Sequence, residues 1–303
     1  VEFRLVRRSV AILMVLLAAC RPDGRPRTPF DGAAAMGYVK AQLEFGPRIP
    51  GSIGHQRTGD WIVTRARAAA DTVIEQRFTH VTVKGDTLPL RNILARFRPA
   101  ESQRVLYITH WDTRPVSDQA ADPAQRSLPM PGANDGASGT AMLLALADAL
   151  KKTPPNVGVD LLFVDGEDYG SFDVGKDVLL GSKYFATHPP DSAYRPLYGV
   201  LWDMIGKFNT RFTEEQFSMQ RAPEVVSLVW KRAAELGYGG VFVPLGGGAM
   251  IDDHLPLLDG GLHVIDVIDA DYPEHHTPQD TFDKVSQRSI QIVGDVAYSL
   301  VTQ

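Results

Sequence analysis

The chain has a single cysteine, Cys20, in 303 residues. That excludes an intramolecular disulfide and any Cys-rich zinc module. A basic excess is missing too: 31 lysines and arginines stand against 36 aspartates and glutamates, a formal charge of −5. Nucleic-acid binders ordinarily carry the opposite balance, so no nucleic-acid partner is expected. No apolar run pattern suits a multi-span membrane protein, and no internal repeat or low-complexity block follows residue 29. What remains is ordinary globular composition, 44% hydrophobic and 22% charged, in a chain long enough to bury a sizeable core. A metal, if bound, must be held by His, Asp and Glu.

The first twenty residues differ from the rest. Arg4, Arg7 and Arg8 precede an uncharged apolar stretch over 10–19, which is short for a bilayer span and suits a secretory leader. It ends in Leu17-Ala18-Ala19-Cys20, which looks like a bacterial lipobox, where the cysteine carries the lipid. Cys20 is therefore expected to be the lipidation site of an exported lipoprotein facing the periplasm or the cell surface. That anchor is the only membrane contact expected. Residues 21–29 read as a Pro/Gly tether, and one folded domain is expected over 30–303.

Runs rich in β-branched and aliphatic residues recur at 72–83, 92–97, 105–109, 159–164, 199–202 and 262–268. Several are nearly continuous, as expected of strands covered on both faces. Helical patterns lie at 32–43, 54–70, 138–151, 223–236 and 286–301. This alternation predicts an α/β/α sandwich with a central, mostly parallel, twisted sheet flanked by helices. Long polar or Gly/Pro-rich segments at 114–132, 207–222 and 239–249 read as site-forming loops.

The acids and histidines concentrate at the predicted strand exits. His110 and Asp112 follow one strand, and residues two apart in extended chain point to the same side. Asp135 sits in a Gly-containing turn before a helix, Glu167-Asp168 follows another strand, Asp203 closes a third, and His276 comes after a fourth. Each has a plainer alternative. Asp135 could cap its helix, Glu167 and Asp168 could be solvated turn acids, Asp203 could pair with an arginine, and His110 could be a core histidine. Together they favour a site, because clustered acids repel unless a cation neutralises them. The carboxyl ends of parallel strands are where sites form, and nitrogen and oxygen donors without sulfur suit catalytic zinc.

The ordered segments His110-Trp111-Asp112, Gly132-Ala133-Asn134-Asp135-Gly136-Ala137-Ser138-Gly139, Phe163-Val164-Asp165-Gly166-Glu167-Asp168, Gly181-Ser182, Leu201-Trp202-Asp203-Met204-Ile205-Gly206, Asp252-Asp253-His254-Leu255-Pro256 and Tyr272-Pro273-Glu274-His275-His276-Thr277 resemble the zinc-dependent M28 peptidase family. The closer likeness is to its glutaminyl cyclase (glutaminyl-peptide cyclotransferase) branch. The resemblance implies a zinc exopeptidase-like fold and zinc held by Asp135, Asp168 and His276. Glu167 matches the general acid/base, and Asp252 matches a cyclase acid that bonds near the position of Asp203. In the dinuclear peptidases, positions like His110 and Asp203 hold a second zinc. His275 stands where cyclases often carry a tryptophan that walls the substrate pocket, and Tyr272 and His275 are expected on the substrate side. His55, His80, His188 and His263 match no motif and read as structural or surface residues.

Two reactions follow from that resemblance. With one zinc, a cyclase converts N-terminal glutamine of a peptide or protein to pyroglutamate and releases ammonia, with Glu167, Asp203 and Asp252 as the working carboxyls. With two zincs, an aminopeptidase hydrolyses the first peptide bond. A non-enzymatic peptide-binding lipoprotein is the remaining alternative, and its expected signature, loss of Glu167 or of a ligand, is not seen.

Overall fold

The computed structural model describes residues 28–302. The expected leader, Cys20 and most of the tether lie outside the described residues. Six strands form one sheet in the order β1-β2-β4-β3-β5-β8. The hairpin β1 (Thr72–Val81) and β2 (Thr87–Phe97) is antiparallel, in register from Thr72 opposite Arg96 to Val81 opposite Thr87. Its turn passes through Gly85 at φ 88°, a left-handed value that glycine adopts without a Cβ clash. β2 runs antiparallel to β4 (Gly158–Val164). From there β4, β3 (Arg104–His110), β5 (Tyr198–Asp203) and β8 (Val264–Ile268) are all parallel, so their carboxyl ends share one edge.

Alternation along the strands sorts side chains onto two faces. Val105 and Tyr107 of β3 and Leu161 and Phe163 of β4 pack under α1 (Gly32–Glu44), α2 (Ile53–Ala69), α3 (Ala137–Lys152), α6 (Pro223–Glu235) and α8 (Gln287–Thr302). Leu106, Ile108, Leu162 and Val164 face α4 (Leu180–Thr187) and α7 (His254–Asp259). Every residue of β3 and β4 is buried, which is why these strands read as continuous apolar runs. The predicted sandwich is the observed one.

The differences lie in the short elements. The segment 207–222 carries β6 (Phe212–Glu214) and α5 (Gln216–Arg221), and β6 pairs in parallel with β7 (Phe242–Gly246) from 239–249. These elements, with α4 and α7, are too short to display an apolar period. β2 begins five residues earlier than its apolar run, because its first half pairs only with the edge strand β1. Among the described residues no helix is long and apolar enough to cross a membrane.

Candidate metal and catalytic site

His110 ends β3, and its Nε2 lies 3.0 Å from Oδ1 of Asp135 and 3.1 Å from Oδ1 of Asp203. Asp203 ends the neighbouring strand β5 and also accepts the N–H of Met204 at 2.8 Å. Asp135 does not cap α3: the N-cap is Gly136, with no side-chain bond. Its carboxylate turns to His110, and a Cβ on Gly136 would lie 2.7 Å from that ring, so only glycine lets the two meet. Behind it, Asp280 accepts the N–H of Asn134 at 2.8 Å and of Asp135 at 3.1 Å.

Past β4 the chain turns at Gly166, φ 71°, and delivers Glu167 and Asp168, both buried rather than solvated. Asp112 fixes them by accepting the N–H of Glu167 and of Asp168, each at 3.1 Å. Expected to aim into one pocket, His110 and Asp112 part here: His110 Nε2 does meet the site acids, whereas Asp112 is off the cavity wall, holding the Glu167 loop from behind with its Oδ1 3.7 Å from His110 Nδ1. Nε2 of His276 lies 3.2 Å from Oδ1 of Asp168 and 3.7 Å from Oδ2 of Asp135. Its Nδ1 faces the Gln119 amide at 3.3 Å.

These groups open onto a cavity of about 480 Å³ whose walls include Asp135, Glu167, Asp203, Asp252, His275 and His276, with Phe172, Met204, Met250, Ile251 and Ile268. The loop 114–132 supplies Arg114, Asp118 and Gln119 to it. Tyr272 stands elsewhere: it is buried behind the wall, packed with Met204 and Ile268, and its hydroxyl donates to Asp280 at 2.7 Å. The four unmatched histidines are outside the site. His55 sits against Asp165 at 2.9 Å and stacks on Trp111, His80 pairs with Asp177, and His188 and His263 are exposed.

Burial pushes Glu167 well above the ordinary carboxyl range, and the charges of Asp168, Asp252 and Asp253 push it further. Asp252 is raised in the same way by burial, Asp203 and Asp253. Burial would also raise Asp135, but the hydrogen bond and charge of His110, with His276, hold it below the usual value. Burial pulls His110 down, yet Glu167 and Asp203 outweigh it and raise the imidazole well above its usual range. The acids therefore fall into two kinds, one held ionised at the histidines and one able to carry a proton.

A divalent cation fits this arrangement. Oδ2 of Asp168 is buried without a hydrogen-bond partner, a costly state for a carboxylate oxygen that a cation would relieve. Two donor clusters share Asp135: one with His275 and His276, the other with His110 and Asp203, the donor atoms in each lying within 4.8 Å of one another. The sequence reading missed Arg114, which donates from Nη1 to Oδ1 of Asp168 at 2.7 Å and clamps Asp118 from Nε and Nη2 at 3.0 and 2.6 Å. It also missed Asp280 and Arg48, whose guanidinium binds the carbonyls of Trp111, Pro131 and Gly132 beneath the site. None carries a local signal that separates it from a surface charge.

The sequence model of peptidase family M28 matches residues 92–301. The chain belongs to peptidase family M28. Among solved M28-like structures, Porphyromonas gingivalis glutaminyl cyclase is 37% identical, with 90% of this chain and 98% of that one covered and a TM-score of 0.87. A Zn-dependent exopeptidase from Parabacteroides distasonis is 33% identical over 90% of this chain and 99% of its own, also at 0.87. Bovine glutaminyl-peptide cyclotransferase is 28% identical, over 84% of this chain and 78% of that protein. Against aminopeptidase YwaD of Bacillus subtilis, at 22% identity, the chain spans 57% of that protein's length. The M28 chain is thus an enzyme of a zinc-dependent family, with both cyclases and aminopeptidases among its relatives.

Proposed function

We propose that this protein is a zinc-dependent glutaminyl-peptide cyclotransferase that closes N-terminal glutamine of peptides or proteins to pyroglutamate. The observation that carries this reading is Asp252. It is a fourth buried carboxyl on the pocket wall, beside Asp135, Glu167 and Asp203, and it lies outside both donor clusters with its charge acting on Glu167. Hydrolysis through two ions has no need of an acid there. An amide that loses its nitrogen as ammonia needs a group to hold that nitrogen. Zinc held by Asp135, Asp168 and His276 would supply a Lewis acid for the side-chain carbonyl.

The chain's own groups do the rest. Glu167 takes a proton from the peptide's α-amine as that nitrogen bonds to the side-chain carbonyl carbon. It returns the proton to the departing amide nitrogen, so one C–N bond forms, one breaks and ammonia leaves. Asp203 and Asp252 orient that amide nitrogen by hydrogen bonds. Phe172, Met250 and Ile251 give the cavity an apolar side, against which a bound peptide would displace water. Attack within one molecule through a five-membered ring takes most of its advantage from proximity.

A second reading rests on the cluster His110–Asp135–Asp203. With an ion there as well as at His276, Glu167 would instead serve a two-zinc aminopeptidase. Mass spectrometry of the zinc-loaded protein with a Gln-Xaa-Xaa and a Leu-Xaa-Xaa peptide separates the two. Loss of ammonia from the first, with the second intact, is the expected result. Release of free leucine, with two zincs per chain, would replace the cyclase reading.

A further inference from the structure

β1 is the outermost strand of the sheet and, unlike β3 and β4, has no buried residue. Its free side can be read residue by residue. The Thr82 N–H donates to the Asp86 carbonyl at 2.8 Å, whereas Arg91, opposite Arg77 in the β1–β2 register, turns its N–H away to Asp165 at 2.6 Å. Main-chain groups alternate sides along a strand, so Val73, Glu75, Arg77 and Thr79 direct theirs outward. No described residue bonds to them there. Natural edges are commonly blunted by proline, lysine or a bulge, and β1 has none of these: its ten residues pair with β2 without a register shift. The charges it does carry, Glu75 and Arg77, are of opposite sign and sit on one face.

We propose that β1 is a dimerisation edge, pairing antiparallel with β1 of a second copy of this chain about a two-fold axis at Gln76. A two-fold interface brings one patch against itself, and this patch is self-complementary. In the register centred on Gln76, Glu75 faces Arg77 of the second copy and Arg77 faces Glu75, while Ile74 meets Phe78 and Val73 meets Thr79. One step either way sets Glu75 against Glu75 or Arg77 against Arg77, like charges directly opposite. Charge therefore selects the register. Within one chain Glu75 already gathers Arg67, Arg77 and Arg91 at 2.8, 2.6 and 3.3 Å, and Arg77 is still 66% exposed and free to meet another carboxylate. On the other face Phe78, Tyr184 and His188 form a stack with successive centroids 4.1 Å apart. The Gln76 amide donates to the His188 carbonyl at 2.6 Å, which sets that stack beside the axis. Pairing adds about eight main-chain hydrogen bonds, and it requires neither zinc nor the reaction assigned to the cavity.

Sedimentation velocity over a concentration series, with a crosslinking pair, tests the edge. The wild-type chain is expected to pass from monomer to dimer as concentration rises. Arg77→Glu, which sets acid against acid, should raise the dimer dissociation constant at least roughly tenfold. Crosslinking uses the full chain carrying Cys20→Ser, so that an introduced thiol is the sole one. Facing Cα atoms at Gln76 would be about 4.5 Å apart, within disulfide reach, so Gln76→Cys should oxidise to a bridged dimer. Thiols from Thr79→Cys would stand roughly 20 Å apart and should not bridge. A monomer throughout the series overturns the proposal. A dimer that Arg77→Glu leaves unchanged, or that bridges equally at both positions, forms through another surface and overturns it as well.

Discussion

Glu167 and Asp168 are neighbours in sequence with separate surroundings: one faces His110 and the cavity, the other His276 and Arg114. Glu167→Gln removes the proton carrier and leaves every metal donor, so turnover is expected to drop by about 10²–10⁴ with zinc content unchanged, measured on one preparation. Asp112 is the second test at this scale. Asn in its place presents an N–H to one of two backbone N–H groups, so Asp112→Asn should cost about 1.5–3 kcal/mol in denaturant unfolding and reduce turnover through a misplaced Glu167. Both acids stand out in the sequence at a strand exit. What the sequence does not disclose is the partner, because Asp112 meets the Glu167 loop only once β3 and β4 are side by side. Arg48, Arg114 and Asp280 were illegible for the same reason: their partners are distant carbonyls and carboxylates, and no local pattern encodes them.

At the scale of elements, the site depends on how closely α3 approaches the sheet. A Cβ on Gly139 would lie 2.2 Å from the Thr109 hydroxyl and 2.4 Å from the Trp202 carbonyl, at the ends of β3 and β5. Gly139→Ala is therefore expected to destabilise by about 1–3 kcal/mol and to disturb the Asp135 turn. Gly37→Ala, in α1 with open space around it, should stabilise by about 0.5–1 kcal/mol; thermal melts of the pair read both signs. The long elements were legible because burial writes either a continuous apolar run into them, as in β3 and β4, or a helical period, as in α1 with Gly32, Ala35, Val39 and Gln42 buried. Strand order was not, since nothing within β4 says that it separates β2 from β3. The short α7 shows the limit most clearly: its six residues begin at His254, directly after Asp252 and Asp253, and a reading by periodicity passes over it.

For the molecule as a whole, the uncommon feature is carboxyl groups enclosed together. Asp252, Asp253 and Asp266 are buried and raised by that burial and by neighbouring acids: Asp203 and Asp253 act on Asp252, Asp112 and Asp203 push Asp253 to about 7, and Asp252 with Asp203 acts on Asp266. An acid whose pKa is higher folded than unfolded stabilises the fold fully at low pH, and the contribution is lost as pH rises from about 4 toward that folded value. The zinc-free protein should therefore melt lower as pH climbs through 5 to 7. Asp253→Asn can still accept from the Ser182 hydroxyl, as Asp253 does at 2.5 Å, and should show a shallower slope. Parallel slopes in melts across that range would remove Asp253 from the effect.

Asp135 belongs to both donor clusters, while the imidazoles it faces come from opposite ends of the fold, His110 from β3 and His275 and His276 from the loop after β8. During synthesis, then, a chain emerging from the ribosome presents its acids long before the second group of histidines exists. A zinc finger, by contrast, draws its donors from a short stretch of chain. Here the loop carrying His276 follows β8, so that donor reaches Asp135 and Asp168 only where β8 is docked on β5, and an ion would find its full donor set only in the assembled sheet.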